Sequence, residues 1–126
     1  MLVSEMEIAG GKIRMNFAIK ADAEKVRLDL LPVKPLLDVG KVLTYGANKY
    51  SPRNWERGFV WSRPYAAALR HLFAWFSGQT HDPETGFNHL AHAMCEIMFL
   101  MEFSYTHPEM DDRPMKEEIN DGDANA

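Results

Sequence analysis

A single cysteine, Cys95, rules out any disulfide within the chain. It falls in the most apolar stretch of the sequence and reads as a buried, unreactive thiol rather than a nucleophile. A run long enough to cross a bilayer is missing too. The longest apolar stretch, His92 to Phe103, is broken by Glu96 and Glu102 and is well short of the roughly 20 residues a spanning helix needs. The first residues carry Glu5 and Glu7 and no apolar run ending in small residues, so no secretory leader is expected; the expected location is the cytoplasm, with no membrane partner. Also absent are a glycine-rich phosphate loop and a Gly-x-Ser-x-Gly elbow, which argues against P-loop and serine-hydrolase chemistry. There is no recognised nucleic-acid-binding motif and the cations are too sparse for a general nucleic-acid surface, so no nucleic-acid partner is expected.

What is present is an ordinary globular composition. The chain has 126 residues, 46% apolar and 25% charged, which is enough for one packed domain and too little for two independent cores. The net charge of −4 is unevenly spread. Seven acids after His107 (Glu109, Asp111, Asp112, Glu117, Glu118, Asp121 and Asp123) face only Arg113 and Lys116. Between Lys41 and Arg70 there are instead six cations (Lys41, Lys49, Arg53, Arg57, Arg63, Arg70) and one acid, Glu56. That segment suits a small phosphorylated ligand or, equally on charge alone, a solvated basic face.

Hydrophobic spacing predicts a mainly helical, all-α protein. Residues 1–24 read as an irregular arm or one short strand around Gly10-Gly11. A first helix is predicted from Pro35 to about Ala47, with Pro35 in the first helical position. Tyr50 to Trp61 is an irregular loop rich in rings and cations. Ser62 as N-cap and Gly78 beyond the end bracket a second helix over Arg63 to Ser77, expected to be packed on both faces. A turn at Asp82-Pro83-Glu84-Thr85-Gly86 leads to a third helix, Asn88 to about His107, apolar nearly all round and stopped by Pro108. The domain organisation expected is one helical domain over 1–107 and an acidic, mobile tail over 108–126. A helix so apolar belongs inside a bundle or at a subunit contact, so a homo-oligomer, dimer or larger, is expected.

On the third helix His89, His92 and Glu96 are spaced i, i+3, i+7 and share one stripe. Polar groups in so apolar a rod need hydrogen bonds, a metal or a wet pocket, because burying them bare costs several kcal/mol. Imidazole and carboxylate are common metal ligands, so His89 and His92 are candidates, joined by His71 from the alanine-lined side of the second helix. Asp82 and Glu84 are turn and capping residues, or else metal ligands and a general base, with Glu96 a further carboxylate candidate; His81 reads as a surface loop residue. Lys49, Arg53, Arg63 and Arg70 are candidate phosphate contacts. Tyr50, Asn54 and Trp55 are candidate contacts for the rest of a nucleotide, with core packing the alternative for the rings.

Taken together, Arg27-x-Asp29-Leu30-Leu31-Pro32, Tyr45-Gly46-Ala47-x-Lys49-Tyr50, Asn54-Trp55-x-x-Gly58, Arg70-His71-Leu72-x-Ala74-Trp75 and Asp82-x-Glu84-Thr85-Gly86-x-x-His89-Leu90-Ala91-His92-Ala93 resemble the phage-encoded dATP/dGTP diphosphohydrolases. The resemblance spans about residues 25 to 103. It implies a helical bundle of the all-α NTP pyrophosphatase kind and an enzyme that splits a purine deoxynucleoside triphosphate (dGTP or dATP) into monophosphate and pyrophosphate. A divalent cofactor is implied as well. The MazG-like relatives in concept carry Glu-x-x-Glu on one helix and Glu-x-x-Asp on the next; here His89-x-x-His92 stands in the second place. With imidazoles there, magnesium or manganese is joined by cobalt and zinc as candidates. The rival reading is a non-catalytic protein that binds and sequesters a nucleotide, separable by whether pyrophosphate is released.

Overall fold

The computed structural model describes residues 4–8 and 10–115. The chain divides into two compact units, Met1–Leu31 and Pro32–Ala126. The first unit holds a hairpin of β1 (Ser4–Ile8) and β2 (Gly11–Met15), antiparallel with Ser4 opposite Met15 and Ile8 opposite Gly11. Two strands therefore replace the loose arm or single strand expected. Glu5 and Glu7 alternate with Met6 and Ile8 in the same period of two as the second strand, and Gly10 closes the turn at a φ of 92° that favours glycine. A short 3-10 turn follows at Leu28–Leu30.

The second unit carries three helices: α1 (Val33–Lys49), α2 (Ser62–Phe76) and α3 (His89–Thr106). The helical class expected from the sequence holds. α1 starts two residues before the predicted Pro35, which sits in the third helical position; the first-turn N–H groups have no partner inside a helix, so a proline there breaks nothing. α3 begins after Asn88, whose side chain accepts from the Leu90 N–H at 2.8 Å, as an N-cap does. α2 ends as Gly78 suggested: the Gly78 N–H reaches the Trp75 carbonyl and the Gln79 N–H the Ala74 carbonyl, both at 3.0 Å, the paired bonds of a Schellman ending.

α2 and α3 run antiparallel, joined by a connection that folds on itself. The Asp82 N–H donates to the Phe87 carbonyl at 2.8 Å and the His89 N–H to the Thr80 carbonyl at 3.0 Å. Small residues are buried on both helices, Ala68 on α2 and Ala91 and Ala93 on α3, and α1 covers part of α3, with the Cys95 thiol donating to the Val39 carbonyl. At the far end Trp55 stacks on Phe99 with ring centroids 4.5 Å apart, and Phe59 meets Phe103 edge-on at 6.3 Å. Phe103 is fully enclosed.

One face of α2 departs from expectation. Ala67, Ala68, His71 and Ala74 turn inward, but Tyr65, Phe73 and Phe76 are 57%, 66% and 86% exposed. A second stripe, Met94, Ile97, Met98, Met101 and Tyr105, lies exposed along α3. Apolar spacing marks both stripes, yet among the described residues of the helical unit both stay exposed. Among the described residues no helix is long and apolar enough to cross a membrane.

Residues assigned by sequence to the tail return to the start of α2. After a 3-10 turn at Pro108–Met110, the Met110 carbonyl accepts from the Trp61 N–H at 3.1 Å. The Trp61 indole donates to the His107 carbonyl at 3.2 Å. Ser62, the predicted N-cap, is instead the first helical residue; its backbone N–H donates to Asp112 Oδ1 at 2.8 Å and its hydroxyl to Asp112 Oδ2. Asp112 thus serves as the cap, an anion where the helix end is positive. Gly58, at a φ of 91°, makes room for this return: a Cβ there would lie 2.7 Å from Met110 Sδ and 2.9 Å from the His107 ring. The rest of the predicted mobile tail, 116–126, lies outside the described residues.

Phe103→Ala should lower the unfolding free energy by about 3–5 kcal/mol, the cost of emptying a fully packed aromatic site. Urea unfolding followed by circular dichroism measures it; a loss under about 1 kcal/mol would contradict the packing around Trp55, Phe59 and Phe99.

Candidate functional site

His71 lies two turns from the start of α2 and His89 is the first residue of α3, so the antiparallel pairing sets them face to face. Their Nδ1 atoms are 2.9 Å apart. Asp82, from the connecting loop, places Oδ2 3.7 Å from His71 Nδ1. Ligand atoms of His71, Asp82 and His89 all lie within 4.8 Å of one another. His89 is buried, and the other two are half-buried.

Each member is held by a partner. His89 Nε2 meets Gln79 Oε1 at 2.7 Å; an imidazole that donates there from Nε2 presents its Nδ1 toward His71. His92 stacks on His71, centroids 4.5 Å apart and planes 5° from parallel, and its Nε2 lies 2.7 Å from the Thr85 hydroxyl. That hydroxyl also accepts from the Phe87 N–H at 3.2 Å. Asp82 Oδ1 accepts from the backbone N–H groups of Glu84 at 2.7 Å and Thr85 at 3.3 Å, leaving Oδ2 for the imidazoles.

The electrostatics keep this set ready for a cation. Burial first, then the neighbouring His92, lowers the His71 pKa, with Asp82 opposing. Burial likewise lowers that of His92. Both rings are therefore neutral at pH 7, the state in which imidazole offers a lone pair. Burial alone would raise Asp82, but the N–H donors of Glu84 and Thr85 and the imidazoles outweigh it and hold the carboxyl below its usual range. The donor chemistry suits a divalent metal, since two imidazole nitrogens and one carboxylate oxygen converge there. A hydrogen bond between the rings satisfies the contact of their Nδ1 atoms when one nitrogen carries the proton.

The other predicted site residues fall into two groups. Glu84 and Lys49 meet at 3.6 Å beside the Asp82 turn, with the Tyr50 and Tyr45 rings 5.4 and 6.0 Å from the Lys49 ammonium. Arg70 lies close enough to act on both His71 and Glu96. Arg53, Asn54, Trp55 and Arg63 belong to the opposite end. Arg63 sits over Phe59 and Arg53 pairs with Glu56 at 2.8 Å, while Asn54 shares a 3-10 turn with Trp55, which lies on Phe99. Phe99 and Phe103 lie roughly 10 and 16 Å from His92 along the helix, so these four stand away from the imidazoles. His81 is exposed, bridging to Asn88. Sequence reasoning did not pick out Gln79 and Thr85; the signal for Thr85 is its place in the Asp82 turn, and nothing marks Gln79 except its position just after the helix-ending Gly78.

Glu96 is one turn beyond His92, and no hydrogen bond contributes to its carboxyl's shift. Burial pushes its carboxyl from 4.5 to about 7, against the pull of Arg70. Cys95 beside it is raised to about 12 by burial and then by Glu96, in keeping with an inert thiol.

Residues 16–113 match the family described as "dATP/dGTP diphosphohydrolase, N-terminal". The chain is 36% identical over 95 residues to a dATP/dGTP diphosphohydrolase of Salmonella phage PMBT28, an alignment covering 75% of this chain and 32% of the relative. It spans about a third of that relative's length. No solved structure matches the chain.

A raised carboxyl pKa means the folded chain holds a proton that the unfolded chain has lost between pH 4.5 and 7, so stability falls as pH rises through that window. Glu96→Gln should therefore be more stable than the natural chain at pH 8 by about 2 kcal/mol after allowance for solvent screening. The gain should fade toward pH 4.5, and paired urea titrations at the two pH values measure it; an equal effect at both would contradict the buried, proton-holding carboxyl.

Proposed function

The chain belongs to the dATP/dGTP diphosphohydrolase family through its N-terminal module, and from that premise we propose that it hydrolyses a purine deoxynucleoside triphosphate between the α and β phosphates, giving monophosphate and pyrophosphate. The setting proposed is phage nucleotide metabolism in the host cytoplasm. The observation that carries the reading is the convergence of His71, Asp82 and His89 beside the cations Lys49 and Arg70.

His71, His89 and Asp82 would hold a divalent cation, magnesium or manganese, or with two imidazoles present cobalt or zinc. Bound there, it supplies positive charge against the triphosphate. Lys49 and Arg70 neutralise the departing pyrophosphate. Glu96, which titrates near 7, takes the proton of the attacking water. The water oxygen bonds to the α phosphorus, the bridging bond to the β phosphate breaks, and pyrophosphate leaves with the electron pair. His92 and Gln79 orient the two imidazoles, as partners behind metal ligands do. Asp82 thereby joins the ligands rather than the bases, and Glu84 pairs with Lys49.

With dGTP or dATP and manganese, ion-exchange chromatography should show monophosphate and pyrophosphate in equal amounts, and a chelator should stop the reaction. His89→Ala should lose metal affinity and turnover together, by 10–100-fold or more; a folded His89→Ala chain that keeps both would overturn the site. Nucleotide binding without pyrophosphate release would favour the sequestering role.

A homo-oligomer belongs to the same reading, because the stripes on α2 and α3 leave more apolar side chain exposed than a monomer tolerates comfortably. Light scattering at micromolar concentration should give a dimer or larger; a clean monomer would remove the claim.

A further inference from the structure

Thr85 holds two members of the imidazole cluster at once. Its backbone N–H donates to Asp82 Oδ1 at 3.3 Å, beside the Glu84 N–H at 2.7 Å, and its hydroxyl lies 2.7 Å from His92 Nε2. The turn around it is closed by the Gly86 N–H on the Asp82 carbonyl at 2.7 Å and by the Asp82 N–H on the Phe87 carbonyl at 2.8 Å. Gly86 takes a φ of 75° there, which favours glycine. Thr85 is therefore placed by backbone bonds on both sides, and its β-branched side chain has few rotamers to choose from.

The hydroxyl has two contacts and one proton. Its oxygen accepts from the Phe87 N–H at 3.2 Å, and a hydroxyl that accepts on one side still has its proton to give on another. A neutral imidazole accepts at one nitrogen and carries its proton on the other, so a His92 ring that accepts at Nε2 carries its proton on Nδ1. Nε2 is then spent on the hydroxyl, in keeping with the place of His92 outside the group of His71, Asp82 and His89 whose ligand atoms lie within 4.8 Å of one another. The ring is also held against His71, with centroids 4.5 Å apart and planes 5° from parallel. The Nδ1 contact with His89 at 2.9 Å sets one atom of the His71 ring, and the stacked His92 ring sets its plane.

We propose that Thr85 is the positioning residue of the cluster: its hydroxyl donates to His92 Nε2, fixes His92 with its proton on Nδ1, keeps Nε2 from the cation, and so holds the plate on which His71 lies. The inference deepens the metal reading and rests on it only for the effect on the bound ion; the state of His92 is a property of the metal-free chain. It assigns the turn a task that a spacer of the same length lacking the hydroxyl would not perform.

The test pairs nitrogen NMR of the histidine rings in the metal-free full chain, above neutral pH and with His92→Gln to identify the His92 signals, with calorimetric titration by manganese. The natural chain and Thr85→Ser should both show His92 protonated at Nδ1 and bind manganese alike. Thr85→Val keeps the branched shape without a proton to give, and Thr85→Ala removes both. In each, the His92 proton should spread to Nε2 and manganese affinity should fall by about 10-fold or more, as when a partner behind a metal ligand is removed; either variant suffices should the other not fold. A natural chain with the His92 proton on Nε2, or folded valine and alanine variants that keep the natural tautomer or the natural affinity, would overturn the role of Thr85 and leave the cation site standing. So would an equal loss in Thr85→Ser, the result of a turn disturbed by any substitution. A natural chain that takes up no manganese would overturn the metal reading, and the comparison of tautomers would still decide the role of Thr85.

Discussion

Everything at the site depends on how closely α2 and α3 approach. The 2.9 Å between the two Nδ1 atoms needs the helices close, and Ala68 of α2 and Ala91 and Ala93 of α3 are buried while taking up little space. Close helix packing and polar chemistry usually compete, since a buried imidazole needs a partner. Here the partners come from the connection between the helices: Gln79 beyond the end of α2, Thr85 and Asp82 in the turn. The loop is folded against itself by its own backbone bonds and presents those groups in fixed positions.

That arrangement explains what was legible in the sequence. The helices and their ends could be read because the signals are local: Asn88 caps its own helix and Gly78 ends its own. The stripe of His89, His92 and Glu96 follows from helical spacing. What spacing cannot supply is rotation of one helix about another, so whether His71 faced His89 stayed open until the helices were packed. Asp112 as the cap of α2 was out of reach for the same reason, fifty residues from Ser62 in sequence. Trp55 shows the limit from the other side. An aromatic residue in a basic loop suits a nucleobase as well as a core, the commoner place for such a ring, and its stacking on Phe99 says which surroundings it has.

The basic segment also divides in a way that charge counts hide. Lys49 at the end of α1 and Arg70 beside His71 on α2 stand toward the imidazoles, while Arg53 and Arg63 are engaged with Glu56 and Phe59. A run of cations in sequence is thus two separate features in space. Arg53 adopts a left-handed φ of 61°, which a non-glycine residue holds at a cost of about 1 kcal/mol or more, and the Glu56 carboxylate helps to keep it there.

The three tryptophans stand in three different environments, and that gives the molecule a built-in optical division of labour. Trp55 is stacked in the aromatic core and Trp61 is pinned by the His107 carbonyl and covered by the Arg113 guanidinium. Trp75 is 41% exposed and lies one helical turn beyond His71. Emission from the first two reports the integrity of the end where the chain closes on itself. Trp75, on the helix that carries His71, reports instead on the imidazole end, so the two ends of the helical unit give separate signals from one unlabelled chain.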